Sequence, residues 1–201
     1  MVNALVDYLT PPGVVPLQRA VDNFDGDTLN ERWTITDIGT GSGGMNDVVD
    51  GGYSMTTGTT SADARTLDFN DIRQYDFDAC VFTAIVSQES TASIHTSYGV
   101  SGGSGSMTGS HRSLSNTNFR FLTYDGITAN VVYTSVAADT SWHKHVGIQQ
   151  ASSGVYFLDD VLEVISTSNM PTAKMQPLLD VKTATSAAKT MNVRFYEVYN
   201  Y

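Results

Sequence analysis

The chain has 201 residues, and its 21 Asp and Glu against 11 Lys and Arg give a net charge of −10. Acidity without a basic cluster repels phosphate backbones, one Cys excludes a disulfide framework and a Cys-rich zinc site, and no apolar run is long enough to cross a bilayer. Neither nucleic-acid binding nor membrane insertion is therefore expected. Aromatic residues at 10%, with many Val and Ile, argue for a packed fold over disorder. The opening Met1–Asp7 carries neither the basic nor the apolar region of a secretory signal.

Residues 1–21 read as an N-terminal arm. Val2, Leu5, Val6 and Leu9 recur at helical spacing, Pro11-Pro12-Gly13 ends that pattern, and Val14-Val15-Pro16-Leu17 is extended and apolar. An apolar arm with no core of its own packs either on its own domain or on a partner, so Leu5, Leu9, Val14, Val15 and Leu17 are candidate anchoring residues. From residue 22 to 201 the pattern is that of a single all-β domain. Runs rich in β-branched and aromatic residues predict strands over 32–38, 52–56, 79–86, 93–100, 118–124, 129–135, 143–149, 154–158, 161–166, 175–181 and 191–199. Turn clusters separate them at 41–44, 50–52, 101–110, 125–126 and 152–154. Asp125-Gly126 and Asp159-Asp160 are the strongest hairpin signals, because primed two-residue turns need positive φ. So many short strands without helical periodicity predict a two-sheet antiparallel β-sandwich. Trp33 and Trp142 are expected in its core, and Val193 with Phe195 on one side of the last strand.

Three stretches, in this order, resemble one known family. Asp22-Asn-Phe-Asp-Gly-Asp-Thr-Leu-Asn-Glu-Arg-Trp33 is similar to the opening of concanavalin A-like lectin/glucanase (laminin-G-like) jelly rolls. Trp142-His143 and the hairpin Val155-Tyr-Phe-Leu-Asp-Asp-Val-Leu162 resemble that family's paired strands, and Met191–Tyr199 its closing strand. The resemblance implies a jelly roll over 22–201. Asp160 stands where the family usually has Gly. Glucanases of this fold carry a Glu-x-Asp-x-x-Glu arrangement on one strand, which sets carboxylates on one concave face for attack and protonation.

The chemistry of that arrangement is missing here. The four Glu (Glu31, Glu89, Glu163, Glu197) are scattered, and strands 93–100 and 118–124 contain no acid. No catalytic residue is expected, and the protein is expected not to be an enzyme. His143 and His145 would share one face of a strand as a two-His metal clip, but no third ligand is near, so no metal site is expected. Asp22, Asp25 and Asp27 could contribute oxygens to a Ca²⁺, but Asp-Gly-Asp is also ordinary turn sequence and no full ligand loop is present, so no cofactor is expected. Cys80 lies inside an apolar strand and reads as an inert thiol. The remaining candidates are on a polar sheet face, where His95, Arg120 and Tyr124 supply donors and an aromatic ring suited to sugar.

The resulting expectation is a structural or attachment protein on a virion surface. Its arm would bind a capsid or tail protein, the chain would form a homo-oligomer, and a cell-surface glycan would be a further partner. A glycan-binding module and an atypical glycoside hydrolase are the alternatives, with an extracellular or cell-surface location as the alternative placement.

Overall fold

The computed structural model describes residues 18–45, 52–102, 106–112 and 117–201. The anchoring candidates Leu5, Leu9, Val14, Val15 and Leu17 lie outside them. Among the described residues there are fifteen strands and no helix: β1 Arg19–Asp22, β2 Thr34–Ile38, β3 Ser42–Met45, β4 Tyr53–Thr56, β5 Ala64–Asp68, β6 Ala79–Gln88, β7 Ile94–Gly102, β8 Met107–Arg112, β9 Asn118–Tyr124, β10 Ala129–Ala137, β11 His143–Gln150, β12 Gly154–Leu158, β13 Val161–Ser166, β14 Met175–Thr183 and β15 Thr190–Asn200. They form two antiparallel sheets. One has eight strands in the order β13-β12-β11-β6-β15-β4-β3, with β1 also on β15. The other has seven, in the order β10-β9-β8-β7-β14-β5-β2. The all-β two-sheet sandwich expected from the sequence is the fold.

The core lies between the sheets and follows the two-residue period of each strand. Phe82, Ala84 and Val86 of β6 and Tyr196 and Val198 of β15 meet Tyr98 and Val100 of β7 and Leu179 and Val181 of β14. A smaller cluster at the other end joins Phe119 and Phe121 to Tyr156, Leu158 and Val164. The Tyr196 hydroxyl crosses the core to donate to the Gly99 carbonyl at 2.5 Å. Cys80 is buried, and desolvation pushes its thiol far above the ordinary range, consistent with an inert role.

Four strands have no counterpart in the sequence reading: β1, β3, β5 and β8. The last is the most consequential. Met-Thr-Gly-Ser-His-Arg sits in a Gly- and Ser-rich stretch that reads as loop, yet it pairs with β7 on one side and β9 on the other. Long-range pairing overrides weak local propensity here. At the hairpins, Asp159 and Asp160 both take positive φ, 50° and 69°, and make the expected two-residue turn. Asp125-Gly126 instead begins a four-residue loop, because the Asp125 carboxylate accepts from the Ile127 and Thr128 backbone N–H groups, each at 2.7 Å.

Two side-chain expectations are corrected. Trp33 is buried, edge-on to Phe69 and Tyr196, with its indole N–H donating to Asp22. Trp142 is only half-buried and takes the Arg194 guanidinium over its ring, 4.6 Å from the centroid, so it is not a core residue. In β15 a bulge between Val193 and Phe195 inserts one residue. Val193 thus faces inward with Tyr196 and Val198, and Phe195 falls on the opposite side.

Gly147 of β11 shows how closely the core is filled: a Cβ there would lie 2.0 Å from the Phe82 ring. Gly147→Ala is expected to destabilise the fold by about 1–3 kcal/mol, read as a lower midpoint in urea denaturation. Adding Phe82→Leu should recover part of the loss. Equal stability of Gly147→Ala and wild type would contradict this packing.

Candidate functional site

The outward face of the seven-stranded sheet gathers the sequence candidates. Its phase is fixed by the core, since Thr96, Tyr98 and Val100 of β7 and Leu179 and Val181 of β14 are all turned inward and buried. The alternate positions therefore face out: His95, Ser97, Gly99 and Ser101 on β7, Gln176, Leu178, Asp180 and Lys182 on β14, and Thr66 and Asp68 on β5. Register aligns them in rows. Asp180 stands opposite Ser97 on one side and Thr66 on the other, Leu178 opposite Gly99 and Asp68, and Lys182 opposite His95. On β9, Phe119 and Phe121 are in the core, so Arg120, Leu122 and Tyr124 face out. Arg120 stands opposite Tyr133 of β10 and Tyr124 opposite Met107 of β8.

His95, Arg120 and Tyr124 thus share one face. Of the three, His95 and Arg120 are close enough to interact electrostatically, while Tyr124 lies two rows further along β9. Burial lowers the His95 pKa, and the positive charges of Lys182 and Arg120 lower it further, so the ring favours its neutral form. The Arg120 guanidinium lies 5.8 Å from the centroid of the exposed Tyr133 ring. Gly99 and Gly109 pair across β7 and β8, leaving the middle row low between Leu178 and Leu122.

Asp180 is the residue that sequence reasoning missed. Its carboxylate accepts from the Thr66 hydroxyl at 2.7 Å. Desolvation raises its pKa, against the opposing effects of the Thr66 hydrogen bond and Lys182. Asp68 lies diagonally across the β5–β14 ladder on the same face, with one oxygen accepting from the Asn70 N–H at 2.8 Å. Diagonal positions are about 7–8 Å apart. The two acids are 112 positions apart in sequence (180 − 68) and on different strands, so spacing along a single strand does not reveal them.

His143 and His145 have other work. Both imidazole nitrogens of His143 are engaged, Nδ1 with Asp159 at 2.7 Å and Nε2 with Asp139 at 2.9 Å. Neither is left for a metal, although the two rings do share the inner face, with centroids 6.2 Å apart. His145 is fully buried, its Nδ1 2.5 Å from the Tyr156 hydroxyl. Tyr156 donates to Ser110, and Ser110 to the Arg120 carbonyl, both at 3.3 Å. A cavity of about 10 Å³ lined by Thr96, Tyr98, Phe119, His143 and His145 adjoins this chain. A larger one, about 440 Å³, opens at another end between Gln18, Arg19, Arg32, Phe69, Ile72 and Gln74. At the Asp22–Asp27 turn, Asp22 spends one oxygen on the Phe24 N–H and the other on Trp33. Among the described residues no three His, Cys, Asp or Glu side chains converge as a metal site.

No protein-family model matches the sequence, and the search of curated proteins returns no match. Solved structures do match. The Crh5 transglycosylase in complex with NAG superposes with a TM-score of 0.70 at 13% identity, covering 96% of this chain and 88% of that one. A β-1,3-glucanase from Mycobacterium marinum gives 0.69 at 12%, covering 93% and 100%. The Bacillus licheniformis β-glucanase gives 0.68 at 13%, covering 91% and 98%. The fold is the concanavalin A-like jelly-roll sandwich that the sequence resembles. At this identity the likeness establishes the fold and no more.

The expectation of a non-enzyme is corrected to this extent: the fold is one shared with structures named as glucanases and transglycosylases, so it gives no ground for ruling out a glycosidase-type enzyme. Carboxylates scattered along the sequence can still be brought together by strand register, as Asp180 and Asp68 are, so the lack of a single-strand motif does not exclude an enzyme. Nothing in the comparisons bears on a virion.

The two inner histidines make a pH prediction. Burial lowers the His143 pKa, but hydrogen bonds to Asp159 and Asp139 outweigh it and leave it raised above 6.5. Its stabilising contribution is complete below 6.5 and lost as pH rises through the folded value. For His145, burial and then the neighbouring His143 charge depress the pKa well below 6.5. Its contribution is complete above 6.5 and lost as pH falls toward the folded value. NMR titration should show the His143 ring titrating above 6.5 and the His145 ring still neutral well below it. A shared titration near 6.5 would contradict the geometry.

Proposed function

We propose that the protein is carbohydrate-active, an atypical glycoside hydrolase or transglycosylase whose extended glycan lies across the outward face of the seven-stranded sheet. The observation that carries this reading is the row structure of that face, which sets Asp180 and Asp68 diagonally across one ladder with His95, Arg120 and Lys182 beside them. The glycosidase-type names of the fold neighbours support it.

Each residue has a role that its chemistry suits. Exposed Tyr133 and half-buried Tyr124 offer ring faces for sugar stacking, Lys182 offers a donor to hydroxyls, and Arg120, buried at 7% exposure with its guanidinium over the Tyr133 ring, supports that ring. Asp180, with its raised pKa, gives its proton to the glycosidic oxygen as the C–O bond breaks. Water attacks the anomeric carbon and passes its proton to Asp68. The diagonal register of the two residues keeps them from direct contact and leaves room for that water. Glycan recognition without turnover is the second reading, favoured by the absence of acids from β7, β8 and β9. Virion display finds no support among the fold neighbours.

Binding of laminarin, mixed-linkage β-glucan and chitin oligosaccharides by calorimetry, with release of reducing ends measured on the same samples, tests the reading. Wild type should bind at least one of them and release reducing ends. Arg120→Gln should weaken binding at least tenfold, and Asp180→Asn should keep binding while losing at least 99% of turnover. Activity in wild type should fall as pH rises through the Asp180 pKa, because the acid must hold its proton. Binding without turnover in wild type would leave the recognition reading alone. No binding to any of the three would overturn both.

A further inference from the structure

The inner hydrogen-bond chain fixes which nitrogen of His145 carries its proton. Its last acceptor, the Arg120 carbonyl, has no hydrogen to give, so the Ser110 hydroxyl donates to it at 3.3 Å. With that hydrogen spent, Ser110 accepts from the Tyr156 hydroxyl, also at 3.3 Å. Tyr156 then has no second hydrogen, and its oxygen accepts from Nδ1–H of His145 at 2.5 Å. Burial keeps the His145 ring neutral. Its one proton is therefore on Nδ1, and Nε2 is left as a bare lone pair.

That lone pair meets a matching group. His145 and Thr96 are both 0% exposed and both line the cavity of about 10 Å³ between the sheets. Nδ1 is turned to Tyr156, which is not part of the lining, so the ring reaches the cavity by the edge that carries Nε2. Among the described residues, neither His145 Nε2 nor Thr96 Oγ1 has a hydrogen-bond partner. Two unsatisfied polar atoms at one place in a core are costly, because each has given up its bond to water. The ring cannot turn away from the cavity, since Tyr98 and Phe119 pack edge-on against it with centroids at 4.4 and 5.4 Å.

We propose that this cavity is a binding site for one water molecule, which donates to His145 Nε2 and is held on its other side by the Thr96 hydroxyl. The volume is about that of a single water probe, so one molecule fits and a larger ligand does not. The chemistry selects a neutral donor. Val86, Phe119 and Met191 supply apolar wall, and Asp139 already turns Oδ1 to His143 Nε2 and to the Ser141 N–H. A cation there would set its charge against apolar wall with one neutral nitrogen for a ligand. The water extends the chain to water–His145–Tyr156–Ser110–Arg120, with every donor pointing the same way. It joins β7 to β11 across the core, as the Tyr156–Ser110 bond joins β12 to β8. This assignment is independent of the glycan reading, which concerns the outward face of the seven-stranded sheet.

The test is an atomic-resolution crystal structure of the full chain, with ¹⁵N NMR of its histidine rings in solution. Density should show one water at about 2.7–3.2 Å from both His145 Nε2 and Thr96 Oγ1. The ¹⁵N shifts should show His145 protonated on Nδ1 and bare on Nε2. Thr96→Val should remove the water and move the Nε2 resonance downfield by several parts per million while Nδ1 keeps its proton. A direct Thr96–His145 bond without water, a peak that scatters anomalously as a metal, or a proton on Nε2 would overturn the proposal. If Thr96→Val fails to fold, the wild-type density and shifts decide it.

Discussion

The outward face of the seven-stranded sheet depends on the phase of β14. This strand lies between β7 and β5 and presses Met175, Leu179 and Val181 into the core. Because side chains alternate, those buried positions force Gln176, Leu178, Asp180 and Lys182 outward. A slip of one residue would put Asp180 between the sheets and Leu179 in water, a cost of several kcal/mol for the apolar side chains alone. Hydrophobic burial inside the sandwich therefore holds the charged groups outside it in register. The Thr66 hydroxyl on Asp180 adds a local restraint to a placement already made by packing.

The two sheets differ in how they treat their outer faces. The seven-stranded sheet turns polar and charged side chains outward, among them the buried Ser97 and Arg120 and Asp180, whose pKa burial raises. The eight-stranded sheet presents apolar side chains at its centre and buries them. This asymmetry separates the two outer faces physically: one carries polar and charged side chains, the other apolar ones. Between them the His145–Tyr156–Ser110 chain ends on the carbonyl of Arg120, so the inner hydrogen bonds also support a residue of the outer face.

Much of the architecture was legible because burial and period coincide. The strands with strong β-branched and aromatic content, such as β6, β9 and β15, were visible, as was the Asp159-Asp160 turn. β8 was hidden because Gly109 and Ser110 weaken its local signal and its neighbours supply the pairing. β5 was hidden because Arg65 occupies an inward position, held by an ion pair to Asp37 at 2.8 Å that no pattern of apolar residues reveals. The bulge after Val193 reversed the sides assigned to Phe195. His95, Arg120 and Tyr124 were legible as one face because alternation within a strand is local. Asp180 and Asp68 were not, because their proximity is created by the register of β5 on β14.

The central claim is that Asp180 is a proton-holding acid on a glycan-facing surface. The most direct test is a ¹³C NMR titration of the Asp180 side-chain carboxyl, alone and with a saturating β-1,3-gluco-oligosaccharide. The account predicts a midpoint above the ordinary 3.8 in the free protein and a saturable change of that resonance with sugar. A midpoint at or below 3.8, or a resonance unmoved by sugar that binds elsewhere on the protein, would contradict it.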